Sequence, residues 1–163
     1  MNIKFHSSVI FCSDLEKQRE FYEKFLGQKV EQDLGRCIVF EGGLTLWKPD
    51  KEYPLAKELG YTYEPIGNRN LEICFETEDF ADAVENVLMG DLRLLHNVVE
   101  ESWGQYTIRF YDPEGNLLEI GENLKCMALR MRNSGMDADQ IAGKTGLDKG
   151  YVEHLLTQPG ECE

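Results

Sequence analysis

The chain contains the same order of predicted elements twice, and this internal repeat restricts the folds that are open to it. Apolar spacing and turn residues predict a strand, a helix and three short strands in the first half, at residues 8–12, 15–26, 29–33, 36–40 and 44–47. The same order returns about 65 residues later, at residues 71–76, 80–89, 93–99, 106–111 and 117–120. The sequence therefore predicts an α+β fold of two paired βαβββ modules.

The segments outside the two modules set the expected domain boundaries. Residues 49–69, rich in proline, glycine and tyrosine, are predicted to connect the modules, with one helical turn at Leu55–Leu59. The predicted organisation is one domain over residues 1–122, followed by a helical tail and a frayed terminus. This domain divides into modules 1–48 and 70–122, the tail covers 123–158, and the terminus covers 159–163.

The tail shows helical periodicity. It resembles the core of a helix-turn-helix because Ile141-Ala142 precede Thr145-Gly146-Leu147 at the spacing typical of that turn. Residues 123–163 carry five basic and six acidic side chains, whereas DNA readers neutralise several phosphates. We therefore expect no nucleic-acid partner. An apolar stripe on the first tail helix is expected to pack on the outer sheet surface or across a two-fold interface, which predicts a homodimer; it comprises Leu124, Met127, Ala128 and Met131.

Composition limits the partners and the compartment. The formal net charge of −13 disfavours nucleic acid and anionic membranes, and no apolar run is long enough for a membrane-spanning helix. The N-terminus lacks the pattern of a signal peptide. The five cysteines form no C-x-x-C pair, so we expect free thiols in a reducing cytoplasm.

Two stretches of the sequence resemble motifs of the vicinal-oxygen-chelate superfamily. The first runs from Ser13-Asp14-Leu15 through Phe25-Leu26-Gly27, and the second runs from Trp103-Gly104 through Asp112-Pro113-Glu114-Gly115-Asn116 to Glu119. That superfamily includes glyoxalase I, fosfomycin- and bleomycin-resistance proteins, and extradiol dioxygenases. The resemblance implies that each sheet curls into a half-barrel and that a ligand cleft lies between the modules.

The same resemblance implies where a metal would bind. Its ligand positions, carried over to this chain, fall on Glu72 and Glu119, whose carboxylates would repel each other without a cation between them. In the first module the matching residues are Ser7 and Thr45; a shifted register would bring His6 into the cleft instead, and Thr45 is a poor ligand. His6, Glu72 and Glu119 would suit Mn²⁺, Fe²⁺, Ni²⁺ or Zn²⁺.

Further polar and aromatic side chains are candidates for the cleft. His96 is a candidate general base or additional ligand, and Glu119 a second catalytic group; a half-buried structural histidine is the alternative for His96. Arg109 would clamp an anionic substrate or pair with a surface carboxylate. The remaining candidates for substrate binding are aromatic residues that would otherwise serve packing, namely Trp47, Trp103 and Tyr106.

These residues leave several functions open. The first is a divalent-metal-dependent lyase, isomerase, transferase or dioxygenase acting on a small oxygen-rich molecule, similar to lactoylglutathione lyase. The second is a metal-free protein that sequesters a drug or metabolite, as in bleomycin resistance. An empty apolar cleft, with Glu72 and Glu119 ion-paired to protein cations, would favour the second function. A regulator that acts through the tail is the third.

Overall fold

A computed structural model describes residues 3–62, 64–65, 67, 70–159 and 162. Within them the strands are β1 Ser8–Phe11, β2 Val30–Asp33, β3 Cys37–Phe40, β4 Leu44–Trp47, β5 Glu72–Thr77, β6 Leu94–Glu100, β7 Tyr106–Tyr111 and β8 Leu117–Glu122. The helices are α1 Leu15–Glu20, α2 Pro54–Glu58, α3 Phe80–Met89, α4 Leu124–Asn133, α5 Ala138–Thr145 and α6 Lys149–Thr157. A π-helical stretch, Phe21–Phe25, continues α1.

The chain divides into two compact units, each built on a four-stranded mixed sheet. The first unit comprises Met1–Asn68 with Asp112–Asn116, and the second comprises Arg69–Tyr111 with Leu117–Glu163. The strand orders are β1-β4-β3-β2 and β5-β8-β7-β6. In each sheet the first and last strands of the module pair in parallel and the other pairs are antiparallel. The internal repeat and the α+β class predicted from the sequence are confirmed.

The first sheet is covered on one face by its own helix. Asp14 caps α1 by accepting a hydrogen bond from the backbone N–H of Lys17. Tyr22, in the π-helical stretch, is fully buried and stacks on Phe40 with ring centroids 5.8 Å apart. The strand residues buried on this side alternate with those on the other face, as expected for period 2; they are Ile10, Ile38, Phe40 and Leu46.

Alternation also sorts the second sheet into an apolar and a polar face. The buried apolar residues of β7 and β8 are Ile108, Phe110, Leu118 and Ile120, and Val87 of α3 is buried as well. We call the opposite side the polar face; it carries Glu72, Cys74, Arg109 and Glu119. The candidate site lies on this polar face.

Strand boundaries lie within two residues of the sequence prediction, and two helices differ from it for identifiable reasons. The predicted helix at 15–26 changes to π-helical hydrogen bonding, since the Leu26 N–H donates to the Phe21 carbonyl. The helical turn expected at Leu55–Leu59 begins one residue earlier because Pro54 suits the first helical position. Residues 63, 66, 68 and 69 of the expected connector lie outside the described residues.

The tail forms a three-helix cluster with its own core. Asp137 and Gln140 form a capping box at the start of α5, Gly146 ends that helix with φ 73°, and Asp148 caps α6. The buried core comprises Met127, Ala128, Met131, Ile141, Val152 and Leu155. Here α5 and α6 cover the α4 stripe, which was expected to pack on the outer sheet surface or across a dimer interface, and Met131 also reaches Gly104 between β6 and β7. A homodimer stays a prediction.

Tight packing of the tail on the β6–β7 turn gives a testable prediction. Gly104 has φ 92°, and a Cβ there would overlap the Met131 methyl group. Gly135 has φ 99° with open space around its Cβ position. We expect Gly135→Ala to cost about 1–2 kcal/mol of unfolding free energy from backbone strain. Gly104→Ala should cost roughly 1–3 kcal/mol more from overpacking. Urea unfolding of both variants measures the difference; equal costs would contradict the packing.

The cysteine expectation is wrong for two of the five residues. Cys126 and Cys162 form a disulfide that joins α4 to the C-terminal segment, 36 residues apart in sequence. The Lys125 ammonium also donates a hydrogen bond to the Pro159 carbonyl at 3.1 Å. The spacing of the cysteines gave no sign of this pairing, because it depends on how the tail folds back. A cytoplasmic location, which rested partly on free thiols, stays a prediction.

No helix within the described residues is long and apolar enough to cross a membrane.

Candidate functional site

Strand register gathers the principal polar residues on the polar face. Arg109 of β7 lies directly opposite Glu119 of β8, and Cys74 of β5 lies opposite Glu119 on its other side. Glu72 precedes Cys74 by two residues and therefore shares its face. His96 of β6 is the partner of Arg109 across the other edge of β7. The register thus places Glu72, Glu119, Arg109 and His96 side by side on the second sheet.

Arg109 binds three carboxylates at once. Its Nε donates to Glu72 Oε1 at 2.5 Å and its Nη1 donates to Glu101 Oε1 at 2.5 Å. Its Nη2 forms an ion pair with Glu119 Oε2. The guanidinium therefore uses all three of its nitrogens on protein carboxylates. We call this set of four side chains the Arg109 cluster.

Burial and the ion pairs have opposite effects on the charged groups of the Arg109 cluster. The side chains of Arg109 and Glu119 are only 16% and 11% exposed. Burial lowers the pKa of Arg109, but hydrogen bonds to Glu101 and Glu72 outweigh it and raise that pKa above its ordinary value. Burial raises the pKa of Glu119, Arg109 lowers it, and repulsion from Glu72 and Glu101 raises it further. The guanidinium is thus permanently charged and remains one cation among three acids.

His96 is oriented by Arg109 and by its own backbone. Its Nε2 lies 3.2 Å from Arg109 Nη1, and its Nδ1 lies 2.6 Å from the Asn97 carbonyl oxygen. A guanidinium can only donate, so Nε2 accepts and the ring proton resides on Nδ1, which donates to the carbonyl. The contact with Arg109 thus occupies the Nε2 nitrogen of His96. Its basic nitrogen is directed at a cation of the protein, which does not suit a free general base.

The sequence analysis missed two members of this face. Glu101 directly follows β6, and its Oε1 also accepts a hydrogen bond from the Thr107 hydroxyl at 3.1 Å. Nothing in the alternation pattern singles out Glu101, because irregular register in β6 redirects the end of that strand. Cys74 is an exposed thiol in the midst of the acids. Burial of the sulfur, followed by the charges of Glu119 and Glu72, raises the pKa of Cys74 to about 11, so the thiol is a poor nucleophile.

The side chains proposed as metal ligands do not fit a metal site in this structure. Glu72 and Glu119 both pair with Arg109, whose charge would repel a divalent ion at the same place. His6 is exposed, precedes β1 and belongs to the first unit. Within the part of the chain that the structure describes, no three His, Cys, Asp or Glu residues are arranged to hold a metal.

The first sheet presents an aromatic face of its own. Phe11 and Trp47 are paired across β1 and β4, with ring centroids 5.6 Å apart. Tyr61 lies 5.9 Å from Phe11, and Tyr53 lies edge-on to Trp47 at 5.2 Å. Thr45, at the other metal position of the first module, is buried on the same side of β4. We call Phe11, Trp47, Tyr53 and Tyr61 the aromatic face.

Two further predicted substrate-binding residues contact side chains other than Arg109. Trp103 occupies the turn between β6 and β7, where its indole N–H donates to Gln105 Oε1 at 3.0 Å. Tyr106 alternates to the apolar side of β7, and the Arg130 guanidinium stacks 3.9 Å from its ring centroid. Tyr106 and Arg109 therefore lie on opposite faces of β7, because they are three residues apart in one strand. Trp47 is on the aromatic face.

The Asp112-Pro113-Glu114-Gly115-Asn116 motif has a structural part in the first unit. Asp112 is buried and accepts hydrogen bonds from the Gln18 amide at 2.8 Å and from the Tyr22 hydroxyl at 3.2 Å. Glu114 Oε1 accepts from the backbone N–H groups of Ser13 and Asp14 at 2.8 and 2.9 Å. The motif therefore fixes the start of α1.

Comparison with known proteins shows which protein family has this fold. Residues 5–125 match the family described as Glyoxalase-like domain. A protein of unknown function from Agrobacterium tumefaciens str. C58 is 30% identical, with 76% of this chain and 97% of that chain covered and a TM-score of 0.66. A search of curated protein sequences found no match.

Two similar structures with lower identity agree in fold alone. Lactoylglutathione lyase from Agrobacterium tumefaciens is 21% identical, with 74% of this chain and 93% of that chain covered and a TM-score of 0.52. A glyoxalase/bleomycin resistance protein/dioxygenase from Nocardioides is 22% identical, with coverages of 75% and 84% and a TM-score of 0.54. The two repeated sheets and the family match over residues 5–125 agree. The chain therefore belongs to the glyoxalase-like family of the vicinal-oxygen-chelate superfamily.

Proposed function

We propose that this chain is a small-molecule-binding member of its family that holds its ligand without a metal ion. The observation that carries the proposal is the Arg109 cluster. Both carboxylates that the family resemblance assigns to a metal are ion-paired with a protein cation instead. Ion pairs of this kind, together with an empty apolar cleft, are expected of a sequestering protein rather than of a metal-dependent lyase, isomerase, transferase or dioxygenase.

The aromatic face supports the proposal with a binding surface of suitable chemistry. Aromatic rings contribute large apolar contact areas and prefer tilted or edge-on neighbours, which is the geometry around Phe11 and Trp47. Members of this superfamily act on or bind small molecules. We therefore expect the ligand to carry an apolar or aromatic group that contacts this face.

A fluorescence titration tests the proposal. The neutral probe N-phenyl-1-naphthylamine is titrated into the protein with and without EDTA. We expect saturable binding that is unchanged by EDTA. Phe11→Ala should weaken binding by about tenfold, since loss of an aromatic anchor commonly costs more than about 1 kcal/mol. Phe5→Ala, which removes an 82% exposed ring from the same unit, is the matched control and should have no effect.

Two outcomes would contradict the proposal. Binding that EDTA abolishes and that Mn²⁺ or Zn²⁺ restores would show a metal-dependent site. Equal affinities for the parent and for Phe11→Ala would remove the aromatic face from the binding surface.

A further inference from the structure

The geometry points to Arg109 as a built-in cation that takes the place of the divalent ion between Glu72 and Glu119. The inference deepens the proposed function and rests on it, because a ligand held without a metal requires these carboxylates to be neutralised in another way. The guanidinium occupies the place of the ion, and removal of the guanidinium should allow the carboxylates to bind a metal.

The position of the guanidinium supports the inference. Its three nitrogens each bind a carboxylate from a different segment: Glu72 on β5, Glu101 after β6 and Glu119 on β8. Arg109 itself is on β7, directly opposite Glu119. One planar group thus ties together all four strands of the second sheet, as an ion with ligands from several strands would.

Charge explains why a cation is needed there at all. Two carboxylates that share a poorly hydrated site repel each other, and an opposite charge within about 4–6 Å relieves the repulsion. Glu119 is 11% exposed and Glu101 is 19% exposed, so solvent screens this repulsion only in part. Arginine keeps its charge at all physiological pH values, and its covalent attachment means that no chelator can extract it.

Removal of the guanidinium would leave a set of donors with metal-ligand chemistry. Three carboxylates would lose their common partner, and the Nε2 lone pair of His96 would lose the N–H that it accepts. Carboxylate oxygens together with an imidazole nitrogen suit Mn²⁺ and Zn²⁺. The side chains are spread around a guanidinium at present, so they would have to move inward to bind a single ion.

The decisive variant is Arg109→Met, which keeps an unbranched side chain and removes the charge. Binding of Mn²⁺ and Zn²⁺ is measured by equilibrium dialysis with elemental analysis, and the melting temperature is measured with and without metal. We expect Arg109→Met to bind one Mn²⁺ at least about tenfold more tightly than the parent, and to melt higher with metal. The double variant Arg109→Met/Glu119→Gln should bind Mn²⁺ no more tightly than the parent.

The matched control is Arg36→Met, which removes an exposed arginine paired with Asp50 at 3.4 Å. This variant should bind no more Mn²⁺ than the parent. A gain as large as that of Arg109→Met would overturn the inference, because loss of any positive charge would then explain it.

The outcomes separate this inference from the proposed function. If Arg109→Met stays folded and gains no metal binding at about 1 mM Mn²⁺, the inference is overturned while metal-free ligand binding stands. If the parent itself binds Mn²⁺ stoichiometrically through Glu72 and Glu119, both fail. If Arg109→Met is unfolded, Mn²⁺ is expected to restore its circular-dichroism spectrum, and failure to restore it would overturn the inference.

Discussion

Replacement of Asp112 by alanine is expected to lower the free energy of unfolding by roughly 3–5 kcal/mol, because each buried donor left without a partner costs about 1–3 kcal/mol. Asp112 is 5% exposed. Besides Gln18 and Tyr22, its donors are the Glu114 N–H at 2.9 Å, the Asn116 N–H at 2.8 Å and the Asn116 amide at 2.9 Å. Alanine would leave all of them without this acceptor.

Chemical unfolding followed by circular dichroism measures this effect against two comparison variants. Asp112→Asn keeps one acceptor oxygen and should be destabilised by less than Asp112→Ala. Asp82→Ala, which changes an exposed aspartate in the first turn of α3, should alter the free energy of unfolding by no more than about 0.5 kcal/mol. Similar values for Asp112→Ala and Asp82→Ala would show that the buried network contributes little.

Replacement of Ile141 by alanine is expected to destabilise the tail by about 2–5 kcal/mol, the usual range for a fully buried isoleucine. Ile141 is 0% exposed and lies in the core formed by α4, α5 and α6, beside Met131 and Val152. The three helices are eight to ten residues long, and isolated helices of that length are marginal in water. Their stability must therefore come from this core.

Hydrogen exchange of the α5 and α6 amides reports this effect directly, with circular dichroism as the global measure. Ile3→Ala removes the same side chain at a position that is 82% exposed and should be nearly neutral. Unchanged protection of the α5 amides in Ile141→Ala would mean that the tail is stabilised by something other than its apolar core.

The repeat of the modules was predictable from the sequence because apolar periodicity and turn residues are local signals. β4 and β7 have the expected bounds, and Asp79 and Gly90 flank α3 as expected. The packing of the α4 stripe was not predictable in the same way. An apolar stripe shows that a helix is buried on one side but does not identify what covers it. The Cys126–Cys162 disulfide depends on the same long-range fold.

The positions of the candidate site residues were predictable from the sequence, but the ion pairs that they form were not. The family resemblance implied that Glu72 and Glu119 lie together, and the strand register places them on one face. Arg109 was a candidate for binding an anionic substrate or for pairing with a surface carboxylate, and its three nitrogens all bind protein carboxylates. Sequence alternation assigns a side chain to a face, whereas the choice between substrate and protein partner depends on side-chain geometry. Glu101 went unnoticed for the same reason.

The Arg109 cluster changes what chemistry this face can perform. A metal ion would offer open coordination positions to a ligand with two neighbouring oxygens. A guanidinium bound by Glu72, Glu101 and Glu119 offers none, and His96 Nε2 contacts the same group. Binding through shape and apolar contact is therefore the function that this arrangement supports best. Homodimerisation stays a prediction.

The most direct test of the account is a crystal structure of the parent protein grown with MnCl₂, with an anomalous difference map collected at a wavelength where manganese scatters anomalously. The account predicts continuous density for the Arg109 guanidinium between Glu72 and Glu119 and no anomalous peak within bonding distance of either carboxylate. An anomalous peak coordinated by Glu72 and Glu119, with Arg109 turned away, would contradict it.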